Sequence, residues 1–269
     1  MTCLYRIDYR GRPRHVLVER GEWRLVEGDV FGARQPGELI EPDGFRLLAP
    51  VLPSKIVAIG LNYKDHAAEQ NKPLPAEPMM FLKPSTAVIG PDDVIVLPGG
   101  AGRIDYEAEV GVVIGKRARH VAEERAREYV LGLTCVNDVT ARELQRKDIQ
   151  YTRAKGFDTF APVGPCIAVG LDYHTGSGVA IEGWVNGVRR QASSTRELIF
   201  SIDRLIAFVS RVMTLLPGDI ISTGTPAGIG PLAAGDRVTV KVEGVGELTN
   251  AVGVESAVAD VAHHHTSSA

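Results

Sequence analysis

The stretch Ile104-Asp105-Tyr106-Glu107-Ala108-Glu109-Val110-Gly111-Val112-Val113-Ile114 constrains this chain most, because it is a hydrophobic strand carrying carboxylates where apolar residues are expected. Alternate side chains of a strand share a face, so Glu107 and Glu109 point one way, and Tyr106, Ala108, Val110, Val112 and Ile114 the other. Two acids aimed at one spot repel each other and are costly to desolvate, and a cation between them relieves both costs. A second apolar run, Leu131-Gly132-Leu133-Thr134-Cys135-Val136-Asn137-Asp138, ends in a third acid at its C-terminal edge. Three carboxylates with no His or Cys beside them suit a hard cation, Mg²⁺, Mn²⁺ or Ca²⁺, rather than zinc. A lone Glu-x-Glu pair is more often the solvated face of a half-buried strand, so the motif by itself leaves both readings open.

The rest of the chain narrows the class. At 269 residues, 44% apolar and 23% charged, it is long enough for one large domain, or one plus a small one. A formal charge of -3 gives no electrostatic reason to expect nucleic acid or an anionic membrane as partner. No apolar run approaches the ~20 residues of a membrane span. The polar start Met1 to Arg14 lacks a signal-peptide core, so the expected compartment is the cytoplasm. Cys3, Cys135 and Cys166 are odd in number and widely spaced, which argues against a disulfide framework or a zinc site.

Residues 1–50 contain short alternating runs separated by Arg10-Gly11-Arg12-Pro13 and Arg20-Gly21-Glu22, the pattern of hairpins in a small β-rich N-terminal domain. Arg10, Arg12, Arg14 and His15 read as a solvated hairpin end. Leu48 to Pro53 reads as the passage into a main domain over residues 51–256, which opens with the buried strand Lys55–Gly60. Asn62 is placed to cap the helix that follows, on which His66 and Glu69 are i and i+3 and share a face. A carboxylate beside an imidazole raises its basicity, the pairing a general base needs, although His-x-x-Glu is also a common surface accident. Met79–Pro84 reads as a strand, Gly90-Pro91-Asp92-Asp93 as a turn, Val121–Tyr129 as a surface helix and Thr140–Gln150 as helical. Arg153–Pro162 reads as a surface loop, and Asn186-Gly187 as a hairpin turn. Leu198, Ile202, Leu205, Ile206 and Val209 predict one long helix over 195–216. Thr223–Gly230 is a Gly-rich loop without the Gly-Lys-Ser/Thr ending of a P-loop. Residues 257–269 read as a frayed tail in which His263-His264-His265 binds metal only adventitiously.

Together these segments resemble the fumarylacetoacetate hydrolase family. The resemblance rests on Ile59-Gly60-Leu61-Asn62-Tyr63 with His66 and Glu69, on Tyr106-Glu107-Ala108-Glu109, and on Asn137-Asp138-Val139-Thr140-Ala141-Arg142. Lys155-Gly156-Phe157-Asp158-Thr159-Phe160 and Thr223-Gly224-Thr225-Pro226-Ala227-Gly228 complete it. It covers residues 52 to 253, and the first fifty are similar to the small N-terminal domain of many bacterial members. It implies an α+β, mainly β fold, a mixed β-roll core with flanking helices, usually a homodimer. It also implies Glu107, Glu109 and Asp138 as ligands of Mg²⁺ or Mn²⁺, with Ca²⁺ from the medium as a substitute.

The implied chemistry is that of 2-oxo or 1,3-dicarbonyl acids, cleaved, decarboxylated or isomerised through an enolate that a Lewis-acidic cation stabilises. Lys155 matches the active-site lysine, Gln145 and Arg142 match substrate-side positions, and Thr225 with Gly224 matches the loop that holds a substrate carboxylate or oxo group. His66 and Glu69 match a dyad on a segment that orders over substrate, where they activate water or shuttle a proton. The expected function is C–C hydrolysis or decarboxylation of an acylpyruvate, oxaloacetate or a fumarylacetoacetate-like acid. The alternative is a 2-hydroxyhepta-2,4-diene-1,7-dioate isomerase or keto–enol tautomerase. A non-catalytic small-acid-binding protein ranks below both, since neither ligands nor dyad are missing.

Overall fold

The computed structural model describes residues 1–255, and the tail with His263-His264-His265 lies outside them. The N-terminal strands β1 (Thr2–Tyr9), β2 (Arg12–Glu19), β3 (Glu22–Gly28) and β4 (Arg34–Ile40) form successive hairpins, followed by the short β5 (Arg46–Leu48). The two-residue turns Arg10-Gly11 and Arg20-Gly21 hold both residues at positive φ, which matches the twist of the flanking strands. These strands continue a larger sheet, because β1 pairs antiparallel with β14 (Ala161–Val169), Thr2 opposite Val169.

Next come β6 (Ile56–Gly60), α1 (Lys64–Glu69), β7 (Met79–Lys83), β8 (Val88–Ile89), β9 (Val94–Leu97), β10 (Ile104–Tyr106) and β11 (Ala108–Ile114). Then follow β12 (Val130–Asn137), β13 (Thr140–Ala141), α2 (Arg142–Lys147) and α3 (Thr152–Lys155) before β14. The C-terminal part comprises β15 (Ala180–Val185), β16 (Val188–Ser194), α4 (Ile202–Val212), β17 (Ile220–Ser222), β18 (Gly230–Pro231), β19 (Arg237–Val242) and β20 (Gly246–Val254). The large sheet runs β4-β3-β2-β1-β14-β12-β11-β17-β6-β7, with β5 on β1 and β8 on β14. A three-stranded sheet, β13-β10-β18, and a five-stranded one, β16-β15-β19-β20-β9, pack with it.

Strands β11 and β12 are covered on both faces, which is why they read as nearly continuous apolar runs. Val110, Val112 and Ile114 join the main core with Leu205, Ile206 and Val209 of α4, while Val113 enters a second cluster with Leu4, Val136 and Ile167. Glu107 falls between β10 and β11, where the chain leaves the three-stranded sheet for the large one. Its freed backbone is satisfied across the gap: Asn137 Oδ1 accepts the Glu107 N–H at 3.0 Å, and the Asp138 N–H donates to the Glu107 carbonyl at 2.9 Å. This change of sheet brings the acids of two strands to one place.

Several helical expectations are corrected. Residues 195–216 do not form one helix: a 3₁₀ turn at Thr195–Glu197 gives way to an irregular bend at Ile199 and Phe200, and α4 starts beyond Ser201, whose hydroxyl accepts the Arg204 N–H at 3.2 Å. The break has a tertiary cause. Asn62 Oδ1 accepts the Phe200 N–H and its amide donates to the carbonyls of Phe200 and Thr223, so Asn62 clamps three segments and caps no helix. Val121–Tyr129 contains a 3₁₀ helix at Glu123–Tyr129 rather than an α-helix, and the Thr140–Gln150 helix shortens to α2. The Arg153–Pro162 stretch is no surface loop at its functional end, since Ala154, Lys155 and Phe160 are buried. Among the described residues no helix is long and apolar enough to cross a membrane.

Candidate active site

The floor of the site is the place where the chain changes sheet. Glu107, Glu109 and Asp138 are 5%, 1% and 1% exposed, and one carboxylate oxygen from each lies within 4.8 Å of the others. Lys155 Nζ donates to Glu107 Oε2 and Asp138 Oδ2, both at 2.6 Å. Arg142 Nη2 donates to Glu107 Oε1 at 2.5 Å while its Nε holds Asp105 at 2.8 Å. Lys83 Nζ donates to Asp138 Oδ1 and to the Lys155 carbonyl, both at 2.6 Å. Among the described residues Glu109 receives only neutral donors, the Ser222 hydroxyl at 2.6 Å and the Gly224 N–H at 2.9 Å, both on its Oε2.

The electrostatics follow from that asymmetry. Burial would raise the Glu107 carboxyl, but the adjacent Lys155 and Arg142 outweigh it and hold it at about 2. Burial pushes Glu109 well above the usual carboxylate range, and the neighbouring Asp138 and Glu107 push it further. Burial depresses the Lys83 ammonium more than Asp138 lifts it, whereas for Lys155 the carboxylates Asp138 and Glu107 outweigh burial. Lys155 offsets the rise at Glu109 only in part, and among the described residues no cation bonds to that carboxylate. An all-oxygen set of three carboxylates with one unpaired acid fits a hard divalent cation.

One wall comes from α1. His66 is buried, and its Nδ1 lies 2.8 Å from Glu69 Oε2. Glu69 Oε1 accepts the Gly228 N–H at 3.0 Å, joining α1 to the Thr223–Gly230 loop. Gln70 Nε2 lies 2.7 Å from His66 Nε2. These partners assign the tautomer: Nδ1–H donates to Glu69, and Nε2 keeps a lone pair that accepts from the Gln70 amide. Floor and wall enclose a pocket of ≈ 270 Å³, small for a ligand site, also lined by Phe81, Gln145, Tyr151 and Thr225.

The sequence-derived residues converge with differences of detail. His66, Glu107, Glu109, Arg142, Gln145, Lys155 and Thr225 line the pocket, Asp138 lies beneath it, and Glu69 reaches it through His66. Arg142 is bound to Glu107, Asp105 and Gln145 Oε1, and the Gly224 N–H is engaged by Glu109. The Thr225 hydroxyl donates to the Ala108 carbonyl and accepts from Gln191.

Lys83 and Gln70 are missed by the sequence reading. A lone lysine ending an apolar strand reads as solvated, yet Lys83 follows Met79 and Phe81 at the strand period and so shares their face. That alternation is the signal that could have found it.

The family model for the fumarylacetoacetate (FAA) hydrolase C-terminal domain matches residues 55–253, and that for the Rv2993c-like N-terminal domain matches residues 4–50. The chain is 40% identical over 246 residues to the mitochondrial oxaloacetate tautomerase Fahd2a of Rattus norvegicus, covering 88% of this chain and 78% of that protein. The solved structure of 2-hydroxyhepta-2,4-diene-1,7-dioate isomerase from Mycobacterium marinum superposes with a TM-score of 0.88 at 38% identity, covering 95% of this chain and all of the other. Maleylpyruvate hydrolase from Sphingobium sp. SYK-6, solved with manganese(II) and pyruvate, matches with a TM-score of 0.78 at 31% identity, covering 94% of this chain and all of the other. The mainly β architecture described above is the one these structures share.

Proposed function

The chain belongs to the fumarylacetoacetate hydrolase family, and from that premise we propose that it is a Mg²⁺- or Mn²⁺-dependent enzyme cleaving or decarboxylating a small 2-oxo or 1,3-dicarbonyl acid through an enolate. The observation that carries this reading is the buried triad of Glu107, Glu109 and Asp138 facing a small pocket beside a His66–Glu69 dyad. The triad would hold the cation, which when bound supplies Lewis-acid charge opposite an oxyanion developing on the substrate. Manganese(II) and pyruvate in the related maleylpyruvate hydrolase support both the metal class and the 2-oxo acid head.

The chain's own residues account for the proton traffic. Glu69 holds His66 Nδ1–H, so Nε2 is the basic atom, and the buried ring faces the pocket. In hydrolysis Nε2 takes a proton from water as the water oxygen bonds to the carbonyl carbon beside the scissile C–C bond. That bond then breaks, its electron pair leaves as the enolate of the 2-oxo acid, and His66 returns the proton to the enolate carbon. In decarboxylation no water attacks: CO₂ leaves, its bonding electron pair stays as the enolate, and the proton the enolate carbon then takes comes from solvent through His66 Nε2. Lys155 keeps positive charge beside both steps, since Glu107 and Asp138 hold it protonated.

A second reading, tautomerisation or double-bond isomerisation, is favoured by the Nε2 geometry together with the tautomerase and isomerase names of two relatives. The same base can move a proton between carbon and oxygen with no leaving fragment. We also take the enzyme to act as a homodimer, and a monomeric mass by light scattering would overturn that part.

The deciding experiment is a screen of oxaloacetate, acylpyruvates, fumarylacetoacetate and 2-hydroxyhepta-2,4-diene-1,7-dioate with added Mg²⁺ or Mn²⁺. CO₂ release, acid release and tautomerisation are read separately. Turnover of one of them that needs the metal is expected, and full turnover by metal-free protein would sink the reading.

A further inference from the structure

We infer that the pocket carries a second anion subsite, formed by Lys72 and Arg146, which takes the distal carboxylate of a 2-oxo dicarboxylate. The inference rests on the reading above, in which the floor binds the 2-oxo acid head.

The charges around the pocket are arranged unequally. The acids that line it, Glu107 and Glu109, are both on the floor, and the floor's own cations are committed to carboxylates there. Lys72 and Arg146 also line the pocket, are exposed, and among the described residues have no carboxylate within ion-pair reach. A solvated helix face explains an unpaired arginine on most surfaces. Here the neighbouring segment does pair its arginine: Arg153 is tied to Asp148 at 2.6 Å, outside the pocket. Lys147, also unpaired among the described residues, lies outside the lining, so what sets Lys72 and Arg146 apart is that both face the cavity.

Their position relative to the floor gives the substrate its shape. Arg142, Gln145 and Arg146 are i, i+3 and i+4 on α2 and share a face. Arg142 touches Glu107, so Arg146 stands one turn farther along, about 6 Å at the helical rise. Lys72 belongs to the other wall, just past α1, its N–H bonded to the Ala67 carbonyl. The aromatic rings of Phe81 and Tyr151, edge to face at 5.5 Å, also line the cavity, and Lys155 Nζ lies 5.0 Å from the Phe81 centroid, which places that ring beside the floor. A polar floor, an apolar side and two outer cations together complement a short carbon chain with a carboxylate at each end. A 2-oxo acid with an uncharged tail leaves both cations unmatched.

The test uses metal-loaded protein and ligands that carry no scissile bond. Calorimetry compares oxalate, which has only the head, with 2-oxoglutarate and 2-oxopentanoate, which share a five-carbon backbone and differ in the distal carboxylate. The wild type is expected to prefer 2-oxoglutarate, with the preference shrinking as salt is raised. Lys72→Met and Arg146→Met should each reduce that preference by up to about fivefold, the upper range for exposed ion pairs, and the double variant should abolish it. Oxalate affinity should stay unchanged throughout. Oxalate binding with no preference for 2-oxoglutarate in the wild type, or a preference that survives the double variant, overturns the subsite alone. Failure of oxalate to bind overturns the reading of the floor, and the subsite with it.

Discussion

The floor and the α1 wall of the same pocket are built on opposite principles. On the floor, two acids, Glu107 and Asp138, and three cations from β7, α2 and α3 are almost free of solvent and bonded to one another, with Glu109 buried beside them on the Ser222 hydroxyl and Gly224 N–H. The wall is a six-residue helix with no side-chain cap; Glu69 is 40% exposed and meets the Gly-rich loop through the Gly228 N–H. Folding the sheets fixes the floor, because each of its charges would be costly without its partners. The wall buries His66 and Ala67 but leaves Glu69 exposed, joined to the rest of the site by single hydrogen bonds. On the proposed function, the difference separates a part that holds charge from a part that moves protons.

The largest effect should come from emptying the floor. Chelation is expected to abolish turnover and Mg²⁺ or Mn²⁺ to restore it. Glu109→Gln should lower metal affinity by on the order of 10² or more, since it replaces an anionic oxygen with an amide. Equal affinity of wild type and variant by calorimetry would remove Glu109 from the ligand set.

Breaking the wall should leave the floor intact. His66→Ala is expected to cost on the order of 10² to 10⁴ in the rate of a hydrolytic reaction, with metal affinity unchanged. If the reaction is decarboxylation, Lys155→Ala should cost more than His66→Ala. Wild-type hydrolysis by metal-loaded His66→Ala protein would end the dyad assignment.

Lys83→Met removes a floor cation that touches both Asp138 and the Lys155 carbonyl. Leaving Asp138 short of a partner should cost on the order of 3 kcal/mol of stability in metal-free protein. A bound divalent cation would compensate the same carboxylate, so the loss should shrink when metal is added. Denaturant titration with and without Mn²⁺ measures both, and an equal loss in the two states would mean that Lys83 acts independently of the metal.

What was legible in the sequence follows the same division between local and long-range physics. The hairpins at Arg10-Gly11, Arg20-Gly21 and Asn186-Gly187 rest on alternation and turn residues a few positions apart, and they are present. The triad was legible through the family resemblance, since Glu-x-Glu in an apolar run by itself also fits a solvated strand face. The pairing of β1 with β14 and the change of sheet at Glu107 depend on registers between distant segments, which no local pattern encodes. Asn62 failed for the same reason, since its clamp on Phe200 and Thr223 overrides its preference as a cap and interrupts the apolar spacing of 195–216. Lys83 was missed because what binds it, Asp138 and the Lys155 carbonyl, comes from two other segments.

The smallest effect concerns Gln70, which bears on how far the wall is organised before substrate arrives. With Nδ1–H held by Glu69, the Gln70 amide can only donate to Nε2, so it stabilises the tautomer in which Nε2 is basic. It also occupies the lone pair that must accept the substrate-side proton. Gln70→Met keeps the bulk and deletes that donor. If tautomer control dominates, losing one hydrogen bond of about 1 kcal/mol should lower kcat about fivefold, and the neutral Nδ1–H form should decline in ¹⁵N spectra of the imidazole. If competition for the lone pair dominates, kcat should rise while the tautomer stays as it is, because Glu69 alone then suffices to set it. An unchanged kcat together with an unchanged imidazole spectrum would mean that the Gln70 contact gives way whenever substrate binds, leaving Glu69 as the residue that orients the base.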